Sequence, residues 1–210
     1  MKNDYPNGIP EILEMIENQR FDKDLAEKLL SGVDLNAPII TQNIGSFEIS
    51  GTYLFEAVVN NNLPAVEFLL EHGADPNYFN EKIDDDCALW ELQYIDSNQD
   101  WETRYEICKL FFKYGADPNI KNDGETLYEY ILFKIYYDTA NNDVDFENLT
   151  HLYMLLCLYG GGDDSVGRPK LYNANLDKIN EFDISFSMDK NGVLISGTVI
   201  DKEGNVIAEV

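Results

Sequence analysis

The chain has 210 residues, 44% of them hydrophobic, and carries 39 acidic against 15 basic side chains for a net charge of −24. Apolar content of that size builds a packed core and argues against a disordered chain. The charge repels a phosphate backbone and an anionic membrane surface alike, so no nucleic acid and no membrane is expected as a partner, whereas a basic protein would be steered in.

The N-terminal segment MKNDYPNGIPEIL has no apolar core of a signal peptide, and no run approaches the length of a membrane span, so a cytoplasmic protein is expected. The first apolar helical pattern closes at Leu29-Leu30-Ser31-Gly32-Val33-Asp34-Leu35-Asn36. The stretch Ala37 to Gly51 leads to Thr52-Tyr53-Leu54-Phe55-Glu56-Ala57, then Asn60-Asn61-Asn62 and Leu63-Pro64, where proline suits a first helical turn because its missing N–H is no loss. The helical pattern from Ala65 closes at His72-Gly73-Ala74-Asp75-Pro76-Asn77. Further copies open at Cys87-Ala88-Leu89-Trp90-Glu91-Leu92 and at Thr126-Leu127-Tyr128-Glu129-Tyr130-Ile131, the latter behind the turn Asn122-Asp123-Gly124. The third and fourth endings are Tyr114-Gly115-Ala116-Asp117-Pro118-Asn119 and Tyr159-Gly160-Gly161-Gly162-Asp163, with glycines 41, 42 and 45 residues apart. Each glycine falls where a left-handed helix cap is needed, and in the middle two endings proline follows where helix cannot continue. A helix-plus-glycine unit repeated in this way cannot bury its apolar face alone and has to stack on its copies.

After Gly162 the period changes. Phe182, Ile184, Phe186 and Met188 alternate with polar residues as in a half-buried strand, Asp189-Lys190-Asn191-Gly192 signals a hairpin, and Val193 to Ile200 forms the next strand. Asp201-Lys202-Glu203-Gly204-Asn205 then turns the chain into Val206 to Val210, completing a three-stranded antiparallel meander. A sheet this small needs the last helices or a partner to pack on.

The repeated unit resembles the ankyrin repeat, whose inner helix opens Thr-Pro-Leu-His-x-Ala where this chain has Thr52 to Ala57. The resemblance covers roughly residues 10 to 164 and runs without a gap from Thr52 to Asn77. There it implies an inner helix to Val59, a turn at Asn60-Asn61-Asn62 and an outer helix entered at Leu63-Pro64, with Ala37 to Gly51 as a longer-than-usual finger before it. It implies a mainly α fold: an irregular ankyrin-like helical repeat stack of about four repeats over residues 1–164. A connection over 165–181, with a short helix near Leu176, would lead to a C-terminal antiparallel β-meander over 182–210, packed on the repeats or on a partner. The period is longer than the family's, with extra residues around Asp96 to Arg104 and Tyr136 to Leu149, and Cys87 stands where the family has a capping threonine.

Candidate chemistry is concentrated in two places. Between Asp84 and Glu106 there are eight carboxylates, among them Asp84, Asp85, Asp86, Asp96, Asp100 and Glu102, against the single base Arg104, with Trp101 in their midst. Tyr136, Tyr137, Asp138, Asp143 and Asp145 form a second acidic-aromatic stretch without a base. Aromatics within a carboxylate field suit protein recognition, the rings as rigid anchors and the charges for steering; the alternative is a solvated acidic face. Trp90 occupies the family's histidine slot and reads as structural. The run Asn141 to Asn148 lacks the glycine and distal glutamate of a calcium loop, and His72 and His151 share no zinc spacing, so neither metal nor cofactor is expected. Cys87, Cys108 and Cys157 have no CxxC spacing; Cys108 and Cys157 sit in apolar helical patterns and read as buried reduced thiols. Neither a Gly-x-Ser-x-Gly elbow nor a phosphate-binding loop occurs, and no catalytic residue is expected.

Small acidic chains on ankyrin-like repeats also resemble the immunity proteins of bacterial polymorphic and contact-dependent toxin systems. That resemblance implies a non-enzymatic antitoxin, monomeric when free, which neutralises one basic cognate toxin domain, such as a nuclease, by occluding its active site. A generic ankyrin adaptor with a non-toxin partner, and association through a β edge at Val206 to Val210, are the other readings.

Overall fold

The computed structural model describes residues 8–44, 47–79, 87–94, 100–122, 124–131, 134, 148–149, 152–153, 155–156, 159, 161, 170–171, 183–188, 194–200 and 204–209. They belong to two units, Met1–Ala116 and Asp117–Val210. The boundary expected at residue 164 falls inside the second.

The first unit begins with helix α1, Pro10–Glu17, and α2, Lys23–Leu29. A hairpin of β1, Ile39–Ile44, and β2, Phe47–Gly51, forms the finger, with a bulge between Ile40 and Gln42. Helices α3, Tyr53–Val59, and α4, Leu63–Glu71, follow with the bounds expected from the sequence. Then come a 3-10 turn, Trp90–Gln93, and α5, Trp101–Lys113. Helix α3 packs against α1, α4 and the 3-10 turn, and α4 against α5. The shared core includes Ile12, Ile16, Leu54, Leu69, Leu89 and Phe111, all at most 1% exposed.

Most helix starts carry the oxygen they need. Asp22, Thr52 and Asn62 accept from the amides of Leu25, Phe55 and Ala65 at 3.0, 3.1 and 3.2 Å. The third inner helix departs from expectation. Cys87 offers no capping oxygen, Leu89 at the cap makes no side-chain bond, and the segment winds into the 3-10 turn instead of an α-helix.

The endings form Schellman caps. Gly73 at φ +93° and Gly115 at φ +90° are left-handed, and the amides of Ala74 and Ala116 reach back to the carbonyls of Leu69 and Phe111, each at 2.9 Å. In the second unit, the Gly161 amide closes the same six-residue ring on Leu156 at 2.8 Å. The asparagine after each of the first two caps staples neighbouring endings together. Asn36 accepts from the Asp75 amide at 2.7 Å, and the Asn77 side chain donates to the Gly115 carbonyl at 2.9 Å. Away from the inner helices, His72 stacks on Phe68 with centroids 3.9 Å apart and lies 2.7 Å from Glu27, which ties α4 to α2.

The second unit opens with a short hairpin, β3 Lys121–Asn122 against β4 Glu125–Thr126, turning at Gly124 with φ +87°. Thr126 and Glu129 form a reciprocal capping box: the Glu129 amide donates to the threonine hydroxyl, and the Thr126 amide donates to the glutamate carboxylate. Helical residues 127–131 meet the later helical stretch through Tyr128 and Tyr153, both 1% exposed, with stacked rings and hydroxyls 2.8 Å apart. Strands β6, Asp183–Met188, β7, Leu194–Ile200, and β8, Val206–Glu209, pair antiparallel in chain order. A fourth strand, β5 Lys170–Leu171, pairs with β8 and gives the order β5-β8-β7-β6. At Ala208 and Glu209 the C-terminal strand is therefore flanked on both sides, which corrects the edge expected at Val206 to Val210 over that half; Val210 lies outside the described residues. Leu176 lies outside the described residues, and the stretch expected as a connection contributes β5.

Cys87 and Cys108 are fully buried free thiols, and burial pushes the Cys108 thiol far above its usual range; Cys157 lies outside the described residues. Both buried cysteines should resist alkylation in the native protein at mildly alkaline pH and react only in denaturant, as peptide-resolved mass spectrometry will read. Gly73→Ala should cost about 1 kcal/mol through its left-handed backbone alone, since a Cβ there meets nothing within 4 Å. A shifted urea midpoint with an unchanged slope is the expected result.

Candidate functional site

The stretch that carries the first acidic-aromatic candidates is organised by a buried cation. Helix α4 begins at its cap Asn62, eleven residues before Gly73; eleven residues before Gly115 stands Arg104. Helix α5 is one turn longer at its start, so the capping role moves out to Asp100 and the inner position falls within the helix. Both inner residues are 1% exposed and both reach back to the preceding inner helix. Asn62 donates from Nδ2 to the Ile16 carbonyl of α1 at 2.9 Å, and Arg104 donates from Nη1 to the Val58 carbonyl of α3 at 2.8 Å. The second arm of Arg104, Nη2, donates to the Tyr94 carbonyl at 3.0 Å, where the 3-10 turn ends.

Burial lowers the Arg104 guanidinium to about 10, with Glu91 opposing the shift, so it remains charged at neutral pH. Its charge is spent on backbone carbonyls at two helix ends; the Val58 carbonyl also accepts from the Asn61 amide at 2.9 Å, so the guanidinium is its second donor. The only base between Asp84 and Glu106 is thereby withdrawn from the surface.

Around it the surface is aromatic and acidic. Tyr94 is 52% exposed and Val59 37% exposed, and each belongs to a segment held by the same guanidinium. Asn61, left-handed at φ +53°, donates from its side chain to the Asp100 carbonyl at 3.1 Å and so ties the α3 turn to the start of α5. The Asp100 carboxylate caps the helix, accepting from the Glu102 amide at 3.0 Å and the Thr103 hydroxyl at 2.9 Å. Trp101 is half-buried with its ring centroid 5.9 Å from that of Tyr105, while Asp100 and Glu102 are exposed. On the same helix Glu106 pairs with Lys109 at 2.7 Å.

Of the twelve sequence-derived site residues, Asp100, Trp101 and Glu102 are brought together at the first turn of α5. There Asp100 has a structural task that the sequence reading did not assign, and Trp101 belongs to the helix rather than to an insert. Asp84, Asp85, Asp86, Asp96, Tyr136, Tyr137, Asp138, Asp143 and Asp145 lie outside the described residues. Trp90 is buried at 6% exposure, in keeping with a structural role. Tyr94 and Val59 were missed. Their signal, an apolar residue at the end of an inner-helix pattern, looks the same for a core position as for a surface one. Among the described residues no group of three His, Cys, Asp or Glu side chains is placed to hold a metal ion, and no helix is long and apolar enough to cross a membrane.

Residues 51–77 match the ankyrin repeat family, the stretch that contains α3, α4 and the Gly73 cap. No curated protein matches the chain. The matched segment carries the architecture of a protein-interaction module.

Arg104→Ala takes a donor from two carbonyls, of which Val58 keeps the Asn61 amide, and opens a void, which should lower stability by about 3 kcal/mol. Arg104→Lys keeps the charge, but one ammonium on a flexible stem replaces a fork that spans both acceptors, so about 1–2 kcal/mol should still be lost. Denaturant titration of the three proteins checks the order. Equal stability of all three would show that the guanidinium holds nothing together.

Proposed function

We propose that this chain is a non-enzymatic protein-binding module, an irregular ankyrin-like stack of about four repeats, that captures one basic partner protein. In its most concrete form it is an immunity protein that neutralises a cognate toxin domain, such as a nuclease, by occluding the basic groove of its active site. Carboxylates would take the place of phosphates there, and aromatic rings would fill apolar hollows. The observation that carries the reading is the burial of Arg104. With its one base turned inward, the start of α5 offers Asp100, Glu102 and Trp101 beside Tyr94 and Val59, with no exposed base among the described residues of 84–106. The net charge of −24 would steer such a partner in. The family match at 51–77 supports the stack, and the shared helix endings at Gly73, Gly115 and Gly161 support its continuation. Asp84, Asp85, Asp86 and Asp96 belong to the same proposed surface, and Tyr136, Tyr137, Asp138, Asp143 and Asp145 to a second one. The free protein is proposed to be a cytoplasmic monomer.

The test is affinity capture from the native organism's lysate at low and high salt, followed by an activity-inhibition assay on the captured protein. One stoichiometric basic partner, weakened by salt and inhibited on binding, is the expected result. Asp100→Asn with Glu102→Gln keeps a capping oxygen at Asp100 and should weaken capture at low salt by roughly three- to tenfold. Adding Asp84→Asn, Asp85→Asn and Asp86→Asn should weaken it further. Affinity unchanged by all five substitutions removes this surface from the interface, and a salt-insensitive, non-basic partner favours an adaptor role instead.

A further inference from the structure

Arg20, Asn62 and Arg104 lie forty-two residues apart in turn, and for Arg20 and Asn62 the backbone establishes the equivalence independently. Gln19 and Asn61, the residues before the first two, are both left-handed, at φ +56° and +53°. The amides that follow close the same bond, Arg20 to the Met15 carbonyl at 3.0 Å and Asn62 to the Ala57 carbonyl at 2.8 Å. At Asn62 and Arg104 this position donates to the end of the inner helix of the preceding pair, Asn62 to Ile16 and Arg104 to Val58. Arg20 belongs to the pair α1 and α2, before which no inner helix stands among the described residues. The side chain is exposed, and among the described residues its guanidinium has no acceptor. It lines a cleft of about 560 Å³ with Glu11, Glu14, Met15, Asn18 and Leu25, on the exposed side of α1 and α2.

We propose that this cleft docks the C-terminal end of a helix from a basic partner protein, with Arg20 taking its last carbonyls as Asn62 and Arg104 take those of α1 and α3. A helix C-terminus presents unpaired carbonyls and a partial negative charge, which a guanidinium matches in both shape and sign. Lysine and arginine gather in the last turn of helices, where they would meet Glu11 and Glu14. Met15 and Leu25, the latter 39% exposed, supply an apolar floor that adapts to its guest. A second copy of this chain is the wrong occupant, because it would bring a further −24 to an already acidic face. The surface shares no residue with the one at the start of α5, so either can fail without the other.

The probes are two alanine-based helical peptides of one composition, both C-terminally amidated, one with its lysines in the last turn and the other with them in the first. They are titrated into the isotope-labelled full chain by NMR. The peptide with lysines in the last turn should shift the amides of Glu11, Met15, Arg20 and Leu25. Arg20→Ala should weaken that binding at least about fivefold and leave the thermal midpoint where it was. Equal response to both peptides, or shifts spread over the whole acidic surface, would reduce the effect to diffuse charge attraction and overturn the proposal. So would a fall in the Arg20→Ala midpoint as large as that of Arg104→Ala, which would mean the side chain is already engaged within the chain. A concentration-dependent dimer abolished by Arg20→Glu would assign the face to a second copy and overturn it equally.

Discussion

The first unit depends on how the C-terminal carbonyls of its inner helices are satisfied. An α-helix leaves its last carbonyls without partners, and the ends of α1 and α3 are packed against the next helix pair instead of standing in water. A side chain at the start of the following outer helix adds a second donor that crosses between the pairs: the Asn62 amide group joins the Gln19 amide on the Ile16 carbonyl of α1, and the Arg104 guanidinium joins the Asn61 amide on the Val58 carbonyl of α3. These bonds fix the stagger of one helix pair on the next. The apolar contacts around them, Ile16 against its neighbours and Leu54 and Leu89 further along, would tolerate sliding because hydrophobic contact has no direction.

The change from asparagine to arginine follows from the length of α5. An asparagine can both cap a helix and reach one carbonyl, and in α4 it does both. Once an extra turn moves the cap out to Asp100, the inner position has only to reach, and the third inner segment is a 3-10 turn that ends early at Tyr94. Two carbonyls on different segments then need one donor, and a planar fork spans them where an amide does not. The irregularity of this pair is therefore compensated by one residue, and the compensation has a surface consequence. A base that would have offset the carboxylates is buried, and the exposed side of the same stretch becomes uniformly acidic and aromatic among the described residues.

The stapling asparagines carry the same logic along the other edge. Asn36 and Asn77 each follow a glycine cap and bond to the next ending, so the Gly-x-Asp-x-Asn pattern is both a stop signal and a connector. Its aspartates, Asp34, Asp75 and Asp117, accept the amide two residues on at 2.8–3.0 Å and shape the turn that aims the asparagine. These carboxylates are consumed locally in turn geometry, as that of Asp100 is in capping α5, whereas Glu102 beside it stays exposed.

Much of this was legible before any coordinates. The glycine caps, the buried thiol Cys108 and the three C-terminal strands follow from local physics, namely left-handed backbone that suits glycine and periods of two and 3.6, while the bounds of α3 and α4 follow from the ankyrin resemblance. The replacement of threonine by Cys87 marked the loss of a capping hydroxyl, but not that the segment would wind into a 3-10 turn. Other features depended on groups distant in sequence and had no local signature. Arg104 looked like the one free base in an acidic field, and nothing near it in sequence says that its acceptors are Val58, forty-six residues away, and the end of a 3-10 turn. Val206–Glu209 looked like an edge because its second neighbour, Lys170–Leu171, is only two residues long and lies far upstream. The sequence by itself determined the glycine-capped helix endings and the three C-terminal strands, since those choices are made within a few residues, but not the 3-10 turn at Trp90–Gln93 or the strand Lys170–Leu171. Which polar side chains are consumed inside and which remain for a partner was decided only by the tertiary structure, since burial depends on what the rest of the chain brings alongside.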